Sequence, residues 1–403
     1  MKKLIALLLV LTMLFSVATL FAGCEDDGGK KKSSSKYDEE DEDEEEDDED
    51  KEDEEDKEDE EDKEDEEDKE DKEDEEDDED KDNGEENNED DNKPVKDDEQ
   101  ENAPQRPTEY EFDDTDGNGP LLYKVSDGDG NVIWLFGSIH VGREDYYPLP
   151  DYVMDAFEGS DALAVEADII AFETDQMAQT QALAMMMYTD GSKIADHIPE
   201  ELYEEAVALM TDYGQYSFIL DYFMPITWYQ TINSLMVVEA GADVSLGIDR
   251  YFLNYAKETD MDILEVESAE FQYGMMAGFA EELQIIMLQT VVDNFYEFDE
   301  MKAELDIMMD LWHSGNEAEF AAYLAQESEI PEEYRDYENI EELMEEYNNA
   351  MIVERNQSMT EYAIDALESG EEIFICVGAA HVVGEDAMAD NLRELGYTVE
   401  IIR

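Results

Sequence analysis

Apolar residues are distributed along the chain in three distinct ways. Residues 4–20 are almost wholly apolar, residues 31–108 are nearly free of apolar side chains, and from residue 121 onward short apolar runs alternate with amphipathic segments. A long polar stretch cannot bury enough apolar surface to fold, whereas the last stretch is long enough to enclose a sizeable core. The pattern therefore predicts one folded region at residues 115–403, preceded by an acidic, disordered tether at residues 24–110.

Short apolar runs in the folded region predict strands. Residues 121–125 and 132–136 flank a turn rich in Asp and Gly, which is typical of a β-hairpin. Further runs with the composition of buried strands lie at residues 162–166, 262–268, 372–377 and 397–402. These segments predict a central sheet.

The segments between these strands predict helices. The longest is a mainly helical region at about residues 174–238, which Gly191, Pro199 and Pro225 divide into several helices. Other predicted helices cover residues 151–159, 270–325, 338–368 and 386–395, and one more follows residues 246–249 and runs through residues 251–255. Strands that alternate with helices predict an α/β fold with a central mixed sheet flanked by helices. The region at 174–238 is a methionine-rich helical insertion, whose thioethers suit either core packing or a groove for an apolar peptide or lipid.

The amino-terminal segment has the pattern of an export signal. Lys2 and Lys3 precede the apolar stretch, which closes on a Phe-Ala-Gly-Cys sequence that ends at Cys24. This segment resembles a bacterial lipoprotein signal peptide, which implies removal of residues 1–23 and lipid attachment at Cys24. We therefore expect a protein anchored by lipid to the extracytoplasmic face of the cell membrane. A plain secretory peptide or a transmembrane anchor is the alternative.

Acidic residues dominate the composition and exclude some partners. The chain has 117 Asp and Glu against 25 Lys and Arg, and its formal net charge is −92. The excess is not confined to the tether, because residues 101–403 hold 67 acidic and 11 basic residues. Such a surface repels nucleic acids, so we expect none as partners. For the tether, a solvated spacer is the first interpretation and a weak binder of calcium or other cations is the second.

Two short stretches far apart carry nearly the same pattern. Gly137 and Gly378 each follow a predicted strand, and each is followed three residues later by a histidine, His140 or His381. Glycine lets the chain leave a strand sharply and approach its neighbours closely. A neutral imidazole is the commonest protein ligand of a transition metal, so two histidines delivered to one edge of a sheet predict half of a metal site. The alternative is that both rings only make hydrogen bonds at strand ends.

Three charged residues extend this predicted site. Glu166 ends another predicted strand and can add a carboxylate ligand, which with two histidines leaves coordination positions open for water and substrate. Glu267 ends a further strand and is the predicted general base or fourth ligand. Arg355 is one of the few basic residues of the folded region and suits a developing oxyanion or a substrate carboxylate. The structural alternatives are ordinary strand ends for the two glutamates and an ion pair for the arginine.

The histidine motifs are accompanied by further short blocks along the folded region. The blocks are residues 134–142, 163–168, 247–249, 265–267, 354–356 with Met359, 377–384 and 395–399. In this order they resemble the TraB/GumN family, which also includes the Tiki proteases. The two Gly-x-x-His motifs of the family fall on Gly137/His140 and Gly378/His381, and its associated acid falls on Glu166. The resemblance implies a metal-dependent protease of the Tiki kind, with Mn²⁺ or Co²⁺ favoured, and other members are linked to the shutdown of peptide pheromones.

Together these features predict a membrane-anchored extracellular hydrolase. It would depend on a divalent metal, Mn²⁺, Co²⁺ or Zn²⁺, and would cleave a peptide or protein substrate. Related folds include erythromycin-esterase-like hydrolases and a haem-binding lipoprotein, so the fold alone does not determine the activity. The alternative is a non-catalytic lipoprotein that sequesters a peptide or haem through the same edge of the sheet.

Overall fold

The computed structural model describes residues 119–326 and 339–403. The predicted signal peptide, the predicted lipidation site Cys24 and the acidic tether lie outside these residues and stay predictions. Within the described residues, strands and helices alternate along the chain, as the apolar pattern predicts.

One mixed sheet forms the centre of the described residues. Its strands are β1 (Leu122–Ser126), β2 (Val132–Ser138), β3 (Ala162–Val165), β4 (Asp262–Glu265), β5 (Ile373–Gly378) and β6 (Thr398–Ile402). They lie in the order β4-β3-β5-β2-β1-β6. The first four in that order are parallel to one another, whereas β1 is antiparallel to both β2 and β6. The predicted mixed sheet is confirmed, and the last strand of the chain pairs with the first.

The helices of the described residues fall before and after β4. Those before it are α1 (Asp151–Gly159), α2 (Ile169–Thr174), α3 (Gln176–Met185), α4 (Glu200–Asp212), α5 (Pro225–Glu239) and α6 (Ile248–Thr259). Those after it are α7 (Ala269–Ala277), α8 (Glu281–Asp293), α9 (Phe298–Ser314), α10 (Glu317–Leu324), α11 (Ile340–Asn348), α12 (Glu354–Ser369), α13 (Ala379–Val382) and α14 (Met388–Glu394). A π-helical turn, Asn349–Val353, joins α11 to α12. Short 3₁₀ turns lie at Glu144–Tyr146, Ile194–Asp196, Leu220–Tyr222 and Val244–Leu246.

The predicted hairpin forms because one side chain satisfies the backbone of its turn. Oδ1 of Asp127 accepts hydrogen bonds from the backbone N–H groups of Asp129, Gly130 and Asn131 at 2.9, 2.8 and 2.9 Å. Gly130 has a φ of +96°, a conformation that side chains disfavour. The turn sets the antiparallel register of β1 and β2.

The methionine-rich insertion is helical, as predicted. Pro199 directly precedes α4, and Pro225 is the first residue of α5, where the missing N–H of proline costs no helical hydrogen bond. Three of its methionines, Met186, Met210 and Met236, are at most 1% exposed. Their burial is ordinary core packing by flexible thioethers.

Aromatic rings pack the parallel strands against two helices. The ring centroids of Phe136 in β2 and Phe374 in β5 are 5.8 Å apart, and Phe252 of α6 lies 5.5 and 5.1 Å from them. Trp312 of α9 packs edge-on against Phe136, and its indole N–H donates to the carbonyl oxygen of Gly137 at 2.7 Å. These contacts hold α6 and α9 beside the strands that lead to the two predicted histidines.

No single helix within residues 119–326 and 339–403 is long and apolar enough to cross a membrane. Taken together, α7 and α8 reach the necessary length and composition, but they are bent by 97° at the break between them.

Candidate functional site

Three parallel strands end at the same edge of the sheet. Ser138 of β2 lies opposite Gly378 of β5, and Val165 of β3 lies opposite Cys376 of β5. Because parallel strands present their carboxyl ends on one side, the residues that follow them meet there. The pocket at this edge is lined by His140, His381, Glu166, Arg355 and Gly378, among others. The structure thus brings together four of the predicted site residues and one of the motif glycines.

The two motif glycines lie where a side chain would collide with its surroundings. A Cβ atom on Gly378 would lie 2.9 Å from Oε1 of Glu166, and a Cβ atom on Gly137 would lie 2.9 Å from Cα of Ala379. The absence of a side chain at Gly378 lets the Glu166 carboxylate approach the backbone of β5. The absence of a side chain at Gly137 lets α13 pack directly on β2.

His140 is oriented by a buried carboxylate. Its Nδ1 lies 2.7 Å from Oδ2 of Asp249, whose Oδ1 accepts a hydrogen bond from the Ser138 hydroxyl at 2.5 Å. Asp249 is the second residue of α6 and is 6% exposed, and the positive end of the helix dipole favours its charge. Burial lowers the pKa of His140, but the Asp249 carboxylate outweighs burial, and the pKa is raised.

His381 is oriented by a carboxamide instead. Its Nδ1 lies 2.7 Å from Oδ1 of Asn356, whose Nδ2 donates to the carbonyl oxygen of Asp386 at 3.0 Å. The residue is 1% exposed. Burial, followed by the nearby Arg355 guanidinium, lowers the pKa of His381 to about 3. The ring is therefore neutral near pH 7.

The Glu166 carboxylate is held by three donors. Oε1 accepts a hydrogen bond from the backbone N–H of Gly378 at 2.6 Å, and Oε2 accepts from Nη2 of Arg355 at 2.6 Å and from Nε2 of Gln272 at 3.1 Å. Burial raises the pKa of Glu166, but the Arg355 guanidinium outweighs burial and holds the pKa well below its usual range. The carboxylate is therefore ionised although it is buried.

Arg355 connects Glu166 to Glu267. Its Nε and Nη2 donate to the two carboxylate oxygens of Glu267, both at 2.8 Å, in addition to the bond to Glu166. The side chains of Arg355, Glu166 and Glu267 are 2%, 3% and 5% exposed. Among the described residues, Arg355 lines the pocket and Glu267 does not. Glu267 thus contacts the site through the guanidinium, and its predicted role as general base or ligand stays a prediction.

Arg355 and Asn356 reach the site from one helix. They are adjacent in α12, two and three positions after the π-helical turn, and are 2% and 1% exposed. Nη1 of Arg355 donates to the carbonyl oxygen of Met351 within that turn at 3.3 Å. Such π-helical turns are frequent at functional sites. Here the turn lies directly before the part of α12 that carries Arg355 and Asn356.

Apart from Ser138, the remaining wall of the pocket is apolar. It is formed by Ile139, Met308, Phe320, Leu324, Ala379 and Ala380. Apolar surroundings exclude water and so strengthen the electrostatic interactions among the few charged groups inside. A pocket with an apolar wall and a small number of converging polar groups is typical of ligand-binding sites.

The donor set fits a transition metal in part. Nδ1 of each imidazole is occupied by Asp249 or Asn356, and neither Nε2 atom has a hydrogen-bond partner among the described residues. Histidine ligands of metals typically have their second nitrogen fixed in this way. Within residues 119–326 and 339–403, no group of three or more His, Cys, Asp or Glu is already arranged to hold a metal ion. Glu166 is instead engaged by Arg355 and Gly378.

Sequence reasoning missed the roles of Asp249 and Asn356. They lie 109 and 25 positions from the histidines that they orient, so spacing along the chain does not connect them. A signal was nevertheless present, because each is a polar residue on the apolar face of an amphipathic helix. The buried apolar neighbours at helical spacing are Phe252, Leu253 and Ala256 for Asp249, and Met359, Ala363 and Leu367 for Asn356.

Comparison with known proteins identifies the family. A family model described as the TraB/PrgY/gumN family matches residues 121–401. The chain is also similar to uncharacterized protein YbaP of Escherichia coli (strain K12) and to that of Shigella flexneri. Each is 24% identical over 263 residues, which cover 64% of this chain and 87% of the relative. No solved structure gives a significant match. Because the family model spans more than half of the chain, this protein belongs to the TraB/PrgY/gumN family.

Proposed function

We propose that this protein is a hydrolase that depends on a divalent metal and cleaves peptides. The observation that supports the proposal most is the pair of imidazoles in one pocket. Each is fixed through Nδ1, and the Nε2 atom of each has no hydrogen-bond partner within residues 119–326 and 339–403. A neutral imidazole with one nitrogen fixed is the usual form of a histidine that binds a metal or accepts a proton.

His140 and His381 would hold the metal through Nε2, and Glu166 would supply a carboxylate oxygen. Oε1 of Glu166 accepts one hydrogen bond, from Gly378, and a carboxylate oxygen has room for a second contact. A bound divalent metal lowers the pKa of a water molecule and polarises a carbonyl group. Mn²⁺, Co²⁺ and Zn²⁺ all accept a mixed set of imidazole and carboxylate ligands, so the proposal covers the three ions.

Arg355 supplies positive charge at the pocket wall. Two of its nitrogens are committed to carboxylates, whereas Nη1 donates only to Met351 among the described residues. Because Nη1 carries two hydrogens, one remains for an oxygen of the substrate. The fixed guanidinium would stabilise negative charge that develops on a peptide carbonyl oxygen, and Glu267 would keep it in position.

The proposal also includes the location and the substrate class. The pattern of residues 1–24 supports a lipid anchor on the extracytoplasmic face of the membrane, with the acidic tether as a spacer. The apolar wall of the pocket and the resemblance to the Tiki proteases support a peptide substrate with an apolar residue near the scissile bond.

The His140–Asp249 pair supports a second candidate, a hydrolase that needs no metal. A buried carboxylate at Nδ1 leaves Nε2 to act as a general base and raises the pKa of the ring. In that case His140 would take a proton from a water molecule in the pocket, and Asp249 would stabilise the resulting imidazolium.

Peptidase assays on the intact protein distinguish these candidates. We expect activity to disappear after treatment with a chelator, to return with Mn²⁺, Co²⁺ or Zn²⁺, and to be absent in His140→Ala and in His381→Ala. His197→Ala is the matched control, because His197 bonds Ser192 and Glu281 outside the pocket. Activity that survives chelation but not His140→Ala would favour the second candidate. Peptide binding without turnover would contradict both candidates and favour sequestration. Full activity in both pocket variants would contradict the assignment of the two histidines in both candidates.

A further inference from the structure

We infer that Asp249 and Asn356 are positioning residues that hold both pocket histidines in one tautomer, with the proton on Nδ1 and the lone pair on Nε2. The role in catalysis rests on the proposed function, whereas the tautomers follow from hydrogen bonds within the described residues. The two parts can therefore be tested separately.

The tautomer of His381 follows from a chain of contacts that starts at a backbone carbonyl. A carbonyl oxygen only accepts, so the amide group of Asn356 must turn its nitrogen toward Asp386, where the distance is 3.0 Å. The same carbonyl oxygen accepts a second hydrogen bond from Asn391 at 3.0 Å, which keeps it in place. The amide oxygen of Asn356 then faces Nδ1 of His381 at 2.7 Å. Nδ1 must carry the proton, and Nε2 keeps its lone pair.

The Asp249 carboxylate fixes His140 in the same tautomer. A carboxylate only accepts, so the 2.7 Å contact between Oδ2 of Asp249 and Nδ1 of His140 requires a proton on Nδ1. The Ser138 hydroxyl donates to the other oxygen and fixes the orientation of the carboxylate. Ser138 is the last residue of β2 and Asp249 is the second residue of α6, so the contact also depends on the docking of that helix.

The tautomer of each ring decides what Nε2 can do chemically. In the opposite tautomer Nε2 would carry a proton, and it could neither bind a cation nor accept a proton from water. The two rings reach the reactive form by different means, an anionic partner for one and a neutral amide for the other. Loss of such an outer partner typically weakens metal binding by about 10- to 100-fold.

Nitrogen NMR spectra of the metal-free protein measure the tautomers directly. Protonated and unprotonated ring nitrogens differ in their ¹⁵N shift and in their couplings to the ring protons. The chain has four histidines, so single His→Gln variants assign every ring. At alkaline pH, where the rings are neutral, we expect His140 and His381 to be protonated on Nδ1. A predominant Nε2–H form in either ring of the unmodified protein would overturn the inference for that ring.

Variants of Asp249 and Asn356 test whether these two residues set the tautomers of the histidines. Asp249→Leu and Asn356→Leu remove the acceptor at similar side-chain size, and each should shift only its own histidine toward the Nε2–H form. Asn356→Asp keeps an acceptor and should preserve the Nδ1–H form of His381. The histidine that is not affected serves as the internal control for correct folding. If both leucine variants leave the spectra unchanged, the partners do not set the tautomers and the inference is wrong.

Titration with Mn²⁺ connects the tautomers to the site. We expect about 10- to 100-fold weaker binding in each leucine variant and a smaller change in Asn356→Asp. Glu281→Leu is the matched control, because Glu281 makes the same 2.7 Å contact with Nδ1 of His197 outside the pocket. The Mn²⁺ affinity of this variant should equal that of the parent protein. Nδ1–H rings in a protein that binds no metal would count against the proposed metal dependence and would leave the tautomer assignment intact. Unchanged Mn²⁺ affinity in both leucine variants would remove the positioning role.

Discussion

At the residue scale, Arg355, Glu166 and Glu267 form a cluster in which each buried charge depends on the others. None of the three side chains is more than 5% exposed. Desolvation makes each charge expensive on its own, and the short contacts between them offset that cost. A change that removes the single cation leaves two buried carboxylates without a counter-charge.

Replacement of this cation should destabilise the protein strongly. We expect Arg355→Met to lower the free energy of unfolding by about 3–5 kcal/mol, the range typical of a broken buried pair. The control is Arg250→Met, because Arg250 pairs with Glu173 at the surface, where the side chains are 26% and 41% exposed, and the expected loss is only about 0–1 kcal/mol. Urea unfolding of the two variants measures both values. Similar losses in the two variants would contradict the special role of the buried cluster.

The lowered pKa of His381 predicts a loss of stability in mild acid. Its pKa is about 3 in the folded protein, against 6.5 for an ordinary histidine. Below pH 6.5 the unfolded chain binds a proton that the folded protein does not, so the unfolding free energy falls with decreasing pH, by up to about 1.4 kcal/mol per unit. His381→Gln cannot bind that proton, so its unfolding free energy should depend less on pH.

Urea unfolding of the metal-free protein and of His381→Gln between about pH 7 and pH 5 tests this expectation. Every other titrating group, including His140, whose raised pKa acts in the opposite direction, is present in both proteins. The difference between the two curves therefore isolates His381. Parallel curves would show that the ring is protonated as readily in the folded protein as in the unfolded chain.

At the element scale, the close packing of α13 on β2 determines where His381 lies. Gly137 in β2 permits this approach, because a side chain there would meet the backbone of Ala379, the first residue of α13. The carbonyl oxygen of Gly137 is also bonded to Trp312 of α9. One position in a strand therefore contacts two helices that line the pocket.

Gly137→Ala should be destabilising even though it adds a single methyl group. The new Cβ would lie 2.9 Å from a backbone atom that cannot move alone, so we expect a loss of roughly 1–3 kcal/mol. Gly128→Ala is the matched control, because nothing lies within 4 Å of its Cβ position, and its effect should stay within about 0.5 kcal/mol. Thermal or urea unfolding provides the comparison. Equal effects at the two glycines would mean that α13 can move away from β2 without cost.

At the scale of the whole molecule, the chain carries a large excess of negative charge. The formal net charge is −92, and residues 101–403 alone hold 67 acidic and 11 basic residues. Repulsion among so many like charges opposes the compact state. Counter-ions in solution reduce this repulsion, because the screening length falls from about 30 Å at 0.01 M salt to about 10 Å at 0.1 M.

The melting temperature should therefore rise with ionic strength. We expect an increase in both NaCl and KCl over the range from about 0.01 M to 0.1 M, and the increase should be the same for the two salts if screening is the cause. Differential scanning calorimetry at matched ionic strength measures it. A melting temperature that does not change with salt would show that charge repulsion has little influence on the fold, and a large difference between the salts would indicate binding of a specific cation.

Much of the architecture could be predicted from local patterns. The hairpin, the four later strands and the helical insertion all appear in the structure close to their predicted positions, because their signals lie in runs of neighbouring residues. The meeting of His140, His381 and Glu166 was also predictable, since parallel strands bring their carboxyl ends to one edge. The contacts of Glu267 were not predictable, because they depend on where α12 places Arg355.

The sequence by itself determined the fold class, the family and which residues follow the ends of the parallel strands. These properties depend on the periodicity of apolar residues and on glycines at close contacts, and both can be seen along the chain. Only the tertiary structure decided that Asp249 orients His140, that Asn356 orients His381 and that Arg355 is enclosed by two carboxylates. Each of those contacts joins separate elements across a buried space, so its existence depends on helix docking at distances of a few ångströms, which no local pattern of residues specifies.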